Sequence, residues 1–152
     1  MTVLEKIREF VRRYPGADIL RDFQVDFCDQ IPSNGGVFPS GLVEVSRRSD
    51  ILGNVTVTNQ YNLGLYYVFE KAPGDDNGAT RNADWLMDFQ EWVQEQSAKG
   101  LALTFGDVPK KERIMAQNGV LYDADGEGTA TYMVQLSVQF QKEFKTTNPW
   151  FV

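Results

Sequence analysis

Asp123, Asp125 and Glu127 alternate along the stretch Leu121–Gly128, LYDADGEG. Alternating acids open a calcium-binding loop. An EF-hand loop takes oxygen ligands at its positions 1, 3 and 5, a glycine at 6 and a bidentate glutamate at 12. Counted from Asp123, the residues Asp125, Glu127 and Gly128 fit. The closing position is Val134, which has no ligand oxygen. The flank is also of the wrong kind, because an EF-hand is followed by a helix. Here Ala130, Tyr132, Val134, Leu136, Val138 and Phe140 alternate as a strand does. Asp125-Gly126 between two alternating runs is a hairpin signal, since glycine accepts positive φ at no steric cost. The stretch therefore reads as a turn, with weak adventitious cation binding at its tip as the alternative.

No stronger chemistry stands elsewhere. The chain has no histidine, which removes Ser-His-Asp and Cys-His catalysis and the commonest zinc ligand. Its one cysteine, Cys28, cannot form an intramolecular disulfide, and it reads as a small half-buried residue beside a strand rather than a nucleophile. Asp26 and Asp29 flank it with no base or second ligand, and the acids of Gly74–Gly78 (GDDNG) read as a loop. P-loop, GxGxxG, HExxH and GxSxG patterns do not occur. With 21 acids in 152 residues, chance carboxylate pairs are common. We expect no catalytic residue, no metal site and no cofactor. An enzyme using carboxylates and a divalent cation is the distant alternative.

The elements that must position any site are clearer. A length of 152 residues suits one domain, residues 1–152, large enough for a core without staples. Thr2–Gly16 reads as a helix, with Thr2 as N-cap, Val3, Ile7, Phe10 and Tyr14 at helical spacing, and Pro15-Gly16 as the stop. The charged, amphipathic character of this opening is unlike a secretory signal. Phe23, Val25 and Phe27 alternate in a short strand. Gln30–Gly41, with two prolines and three glycines, reads as a long loop. A strand over Leu42–Ser49, a tip at Asp50–Asn54 and a long alternating strand from Val55 to Lys71 follow. Ala72–Asn82 reads as an acidic loop. A second helix then runs from Ala83 to Gly100, with Asn82 as candidate N-cap. Its aromatic row of Trp85, Phe89 and Trp92, flanked by Leu86 and Val93, reads as core rather than as a cofactor box. Two further strands, Glu112–Tyr122 and Thr129–Lys145, close the chain. The order predicts an α+β two-layer sandwich, a mainly antiparallel sheet covered on one face by two amphipathic helices.

Two features bear on partners. The strand face opposite the core carries Thr56, Thr58, Gln60 and Asn62 on one strand and Thr129, Thr131, Met133, Gln135, Ser137, Gln139 and Gln141 on another. Water-facing sheets usually carry Lys and Glu, whereas protein interfaces are depleted in charge. The face suits either a contact with another protein or plain exposure with Thr chosen for strand propensity. At the C-terminus Pro149 stops the strand, and Trp150 and Phe151 either pack on the chain's own helix or anchor an interface. Arg47-Arg48 reads as a solvated pair. The net charge of −6 argues against tight binding of nucleic acid or anionic membrane. No apolar run approaches the roughly 20 residues of a membrane span.

Three stretches resemble a known family: LEKIREFVRRYPG at the start, YVFEK leading to DWLMDFQEWVQEQSAKG, and GVLYDADGEGTATYMVQLSVQFQKEF near the end. Together they are similar to minor capsid or tail terminator-like proteins of tailed phages and prophages, over nearly the whole chain. The shared patterns are of packing and carry no chemical signature. The resemblance implies a tail terminator-like domain that assembles as a homo-oligomer, a hexameric ring at the neck of the virion. There it would cap the tail tube or sheath and meet the head-completion proteins, after assembly in the host cytoplasm. The long strands would line the ring. The tips at Asp50–Asn54 and Asp123–Gly128 and the loops Gln30–Gly41 and Ala72–Asn82 would project toward partners. DNA would pass through without being gripped. Another head–tail connector or tail-assembly protein of the same particle is the alternative.

Overall fold

The computed structural model describes residues 2–15, 22–25, 34–70, 76–101, 104–124 and 129–146. The elements in chain order are α1 (Val3–Arg12), β1 (Asp22–Val25), β2 (Asn34–Ser49), β3 (Val55–Glu70), α2 (Asp76–Ala98), a 3₁₀ turn (Pro109–Lys111), β4 (Arg113–Ala124) and β5 (Thr129–Phe144). The strands form one five-stranded sheet in the order β1-β2-β3-β5-β4. The three pairings from β2 to β4 are antiparallel, and the short β1 lies parallel to β2. With both helices on one face, this is the expected α+β sandwich. The parallel edge strand departs from an all-hairpin reading.

α1 begins where the sequence says it should. The Thr2 hydroxyl accepts from Glu5 N–H at 3.2 Å, and the Glu5 carboxylate accepts from Thr2 N–H at 3.0 Å, a closed capping box. α2 ends in a Schellman motif: Leu101 N–H donates to the Gln96 carbonyl, Gly100 N–H to that of Ser97, and Gly100 takes φ 68°. Its start differs from expectation. The helix already runs from Asp76, so Asn82 is no cap. Asn82 lies inside the helix, buried, and its Nδ2 has no partner among the described residues. Asn77 and Gly78 are weak helix formers and hide these first turns. Packing further along carries them.

The second departure is in β2. Asn34–Gly41, expected as loop, is strand. Gly35, Gly36 and Val37 lie between β1 and β3 and pair on both sides, so the ladder overrides the local glycine signal. Pro39 falls just past β1, on what has become a sheet edge, where a missing N–H is tolerated. The register slips by one residue between Pro39 and Gly41, and Gly41 at φ 89° takes up the kink.

The core lies between the helices and one face of the sheet. Ile7, Phe10 and Val11 of α1, Leu86, Phe89 and Val93 of α2, Leu63, Leu65 and Tyr67 of β3 and Val134, Leu136 and Val138 of β5 are all buried. Tyr14 is edge-on to Trp85 at 5.5 Å and to Phe89 at 5.3 Å, and Phe10 meets Trp92 at 4.8 Å, so the aromatic row of α2 is core. The segment before β4 is tied down by Glu112, whose carboxylate accepts from Phe105 N–H at 2.8 Å and Gly106 N–H at 2.6 Å. Phe105 thereby seats against Phe140, and Lys6 reaches the Thr104 carbonyl at 2.6 Å.

Phe89 is fully buried at the centre of this packing, so Phe89→Ala is expected to lose about 3–5 kcal/mol of stability in urea unfolding. A second expectation concerns pH. Burial, aided by the nearby Tyr14 phenol, raises Tyr67 well above its ordinary value. The unfolded phenol ionises near pH 10 while the folded one stays neutral, so stability is complete below pH 10 and falls as pH rises beyond it. Tyr67→Phe should flatten that alkaline fall, read as melting temperature against pH.

Candidate assembly surface

The two central strands build this surface. β3 and β5 pair over sixteen residues with no slip. Alternation then sends one set of side chains to the helices and the other to the open face. The register sets Thr58 opposite Gln141, Gln60 opposite Gln139, Asn62 opposite Ser137 and Gly64 opposite Gln135. These residues bond to one another. Gln139 Nε2 donates to Gln60 Oε1 at 2.9 Å, Ser137 Oγ to Asn62 Oδ1 at 2.9 Å, and Gln141 Nε2 to Thr58 Oγ1 at 3.3 Å. Along β3, Gln60 Nε2 donates to Asn62 Oδ1 at 2.7 Å, and Asn118 of β4 reaches Gln135 at 2.8 Å. The result is a polar ladder without charge. Charged residues border it: Arg48 and Glu143 opposite Thr56, Arg113 opposite Gln139, and Glu70 and Asp123 opposite Thr129 and Thr131.

The expected surface residues thus converge, with differences. Thr56, Thr58, Gln60, Asn62, Ser137, Gln139 and Gln141 are half-buried, and Gln135 is exposed. Thr129 sits opposite Glu70 at the strand end. Thr131 is buried at 4 % exposure beside Val68 at 0 %, so it offers no surface to a neighbour. Trp150 and Phe151 lie outside the described residues, as do Cys28, Asp26, Asp29 and the tip Asp125–Gly128. Val134, the residue that broke the calcium pattern, is a fully buried core residue of β5. Among the described residues no cluster of His, Cys, Asp or Glu could hold a metal ion.

One part of the surface was missed from the sequence. Phe38 of β2, Tyr66 of β3 and Tyr122 of β4 stack edge to face, with centroids 4.8 and 5.0 Å apart. Phe38 and Tyr66 line a depression of about 380 Å³ over Gly64, as do Met133 and Ser137. The signal was present: Tyr66 and Val68 break the polar pattern of the even positions.

The β2–β3 hairpin extends beyond the helices. Every residue from Leu42 to Leu52 is exposed, including Leu42, Val43, Val45, Ile51 and Leu52. Its turn is rigidly built. Asp50 Oδ1 accepts from Leu52 N–H and Asn54 N–H, both at 2.9 Å, Asn54 Nδ2 donates to Asp50 Oδ2 at 3.1 Å, and Gly53 takes φ 83°. Desolvation within the turn pushes the Asp50 carboxyl up, but the hydrogen bonds from Asn54, Leu52 and Gly53 outweigh it and hold it below the usual carboxylate range. The turn is therefore locked above pH 3.8 and loosens as pH falls below that.

Asp50→Ala should speed amide hydrogen exchange at Leu52 and Asn54 while core amides exchange as before. Unchanged exchange at those two amides would show that the carboxylate does not hold the turn. A scan of protein-family models finds none that matches this chain, and a search of the curated proteins finds no match.

Proposed function

We propose that this chain is a structural ring subunit of a phage neck, a tail terminator that caps the tail tube or sheath and joins it to the head-completion proteins. The observation that supports it most is the open face of β3 and β5: side chains that converge there are amides and hydroxyls, paired with each other. Such groups neither titrate near neutral pH nor attack a substrate, so they suit contact rather than catalysis. A paired, uncharged face costs little to dehydrate against another protein, whereas a charged one costs much. The tail terminator resemblance of the three sequence stretches supplies the particular particle. In this reading the chain is not an enzyme. It forms a homo-oligomer in the virion after assembly in the host cytoplasm. The net charge of −6 suits a ring through which DNA slides without being held. No described helix is long and apolar enough to cross a membrane.

Negative-stain imaging of the protein with purified tail tubes tests the proposal. Rings of uniform diameter at tube ends are expected, and a chain that stays monomeric beside the tubes would sink it. Gln135→Lys with Gln139→Lys places two charges on the ladder. Folding should weaken by only about 1–2 kcal/mol for the lost amide bonds, and capping should fall about tenfold or more because two unpaired charges would have to be dehydrated in the contact. Full capping by this variant would move the contact off this face.

A further inference from the structure

Two unpartnered features of this chain complement each other. The first is the hairpin tip. Ile51 and Leu52 are 92 % and 68 % exposed, the two most exposed large apolar side chains described. They are displayed by a turn that Asp50 locks with hydrogen bonds to Leu52 and Asn54, so the display is preorganised. The second is a groove of about 670 Å³ along the outer edge of β4, where α2 passes. Met87, Gln90, Gln94 and Met115 are among its lining side chains. Methionine adapts to the shape of an incoming aliphatic group. At the groove the β4 backbone is held by α2 side chains: Ile114 N–H donates to Ser97 Oγ at 3.1 Å, and Gln90 Nε2 donates to the Ala116 carbonyl at 3.2 Å.

Charge favours the same match. Asp84, Asp88, Glu91 and Glu95 recur along exposed α2 at helical spacing; Glu95 pairs with Lys99, and among the described residues the groove itself is lined by Glu91 and Glu112 against one cation, Arg113. The hairpin carries Arg47 and Arg48 just before its tip, and the exposed Arg48 makes no ion pair among the described residues. Within one chain the two features cannot meet. The tip ends the β2–β3 hairpin, the groove follows β4, and β5 lies between β3 and β4. A second copy is the occupant that supplies a tip to every groove.

We propose that Ile51 and Leu52 of one copy seat in the α2–β4 groove of the next, with Arg48 directed at the acids of α2. The inference rests on the ring reading above. Because knob and groove are different surfaces, the contact is head to tail, the kind that closes into a ring when its rotation allows. Past Val37 the outer edge of β2 pairs with no described strand, and it offers a competing two-fold pairing. Such a pairing would close as a dimer.

Disulfide trapping separates these outcomes. Cys28, the only cysteine, is replaced by Ser, and Leu52→Cys and Met87→Cys are introduced in separate chains. Mild oxidation of the mixture should give the mixed disulfide, and a chain carrying both should give a ladder of multimers on a non-reducing gel. A Leu52–Leu52 product alone, or no product, overturns the contact. Leu52→Asp should leave the melting temperature within a few degrees, since the site is exposed. It should raise the concentration needed for rings by about thirtyfold or more, as for a lost interface hot spot. If Leu52→Asp abolishes tube capping yet rings form as before, the knob serves the tube and the contact between copies is overturned. Wild-type rings without the mixed disulfide refute the contact and keep the ring. A mixed disulfide in open chains that never close keeps the contact and refutes the ring.

Discussion

The unbroken pairing of β3 with β5 is the constraint on which the rest depends. It runs sixteen residues with every position matched, while β2–β3 and β4–β5 each slip twice. Because side chains alternate, a slip of one residue would send Leu63, Leu65 and Tyr67 to the open face and Gln60 and Asn62 into the core. The buried face therefore specifies the register, and the register assembles the polar ladder as a consequence. Gln60 meets Gln139 only because Leu63 meets Leu136 three residues further on. Core and surface are two readings of one alignment.

The outer strands deal differently with their free edges. An unpaired strand edge invites pairing with another chain, and folded proteins usually cover or blunt it. β4 is covered: Ser97 and Gln90 of α2 take up backbone groups on its outer side. β2 is covered by β1 only as far as Val37. From Leu42 to Ser49 it is exposed, with Leu42, Val43 and Val45 among the uncovered side chains. Its defences are the kink at Gly41, a second slip between Glu44 and Ser46, and the charges of Glu44, Arg47 and Arg48. These discourage a long flat pairing and still leave the hairpin extended from the body.

Periodicity made most of the fold legible. The odd residues of β3 and the even residues of β5 are the core, as alternation required, and the row of Trp85, Phe89 and Trp92 packs as helical spacing required. Capping chemistry placed both the start of α1 and the end of α2. Errors fell where local chemistry and tertiary pairing disagree. Gly35, Gly36 and Pro39 signal a loop, yet two neighbouring strands hold residues 35–37 in the sheet. Asn82 has a cap's composition but lies mid-helix, because packing further along sets where α2 begins. The open face was readable strand by strand. Which amide meets which depends on long-range register, and no single-strand pattern contains that. The cluster of Phe38, Tyr66 and Tyr122 joins three strands and was hidden for the same reason.

The character of the ladder also bears on why an assembly subunit would carry one. An apolar sheet face of this extent would aggregate before its partner arrived. A charged face would stay soluble but would resist dehydration when the partner came. Amides and hydroxyls already bonded to each other avoid both costs, since much of their hydrogen-bonding capacity is met within the chain and their rotamers are fixed before contact. Such a face contributes complementarity more than binding energy. The energy must then come from a few apolar anchors elsewhere. In this chain the exposed candidates are the aliphatic pair at the locked hairpin tip and the aromatic cluster above Gly64. Under the proposed ring reading, a broad, preorganised polar face with small apolar anchors would let subunits remain separate when dilute and join when several contacts form together.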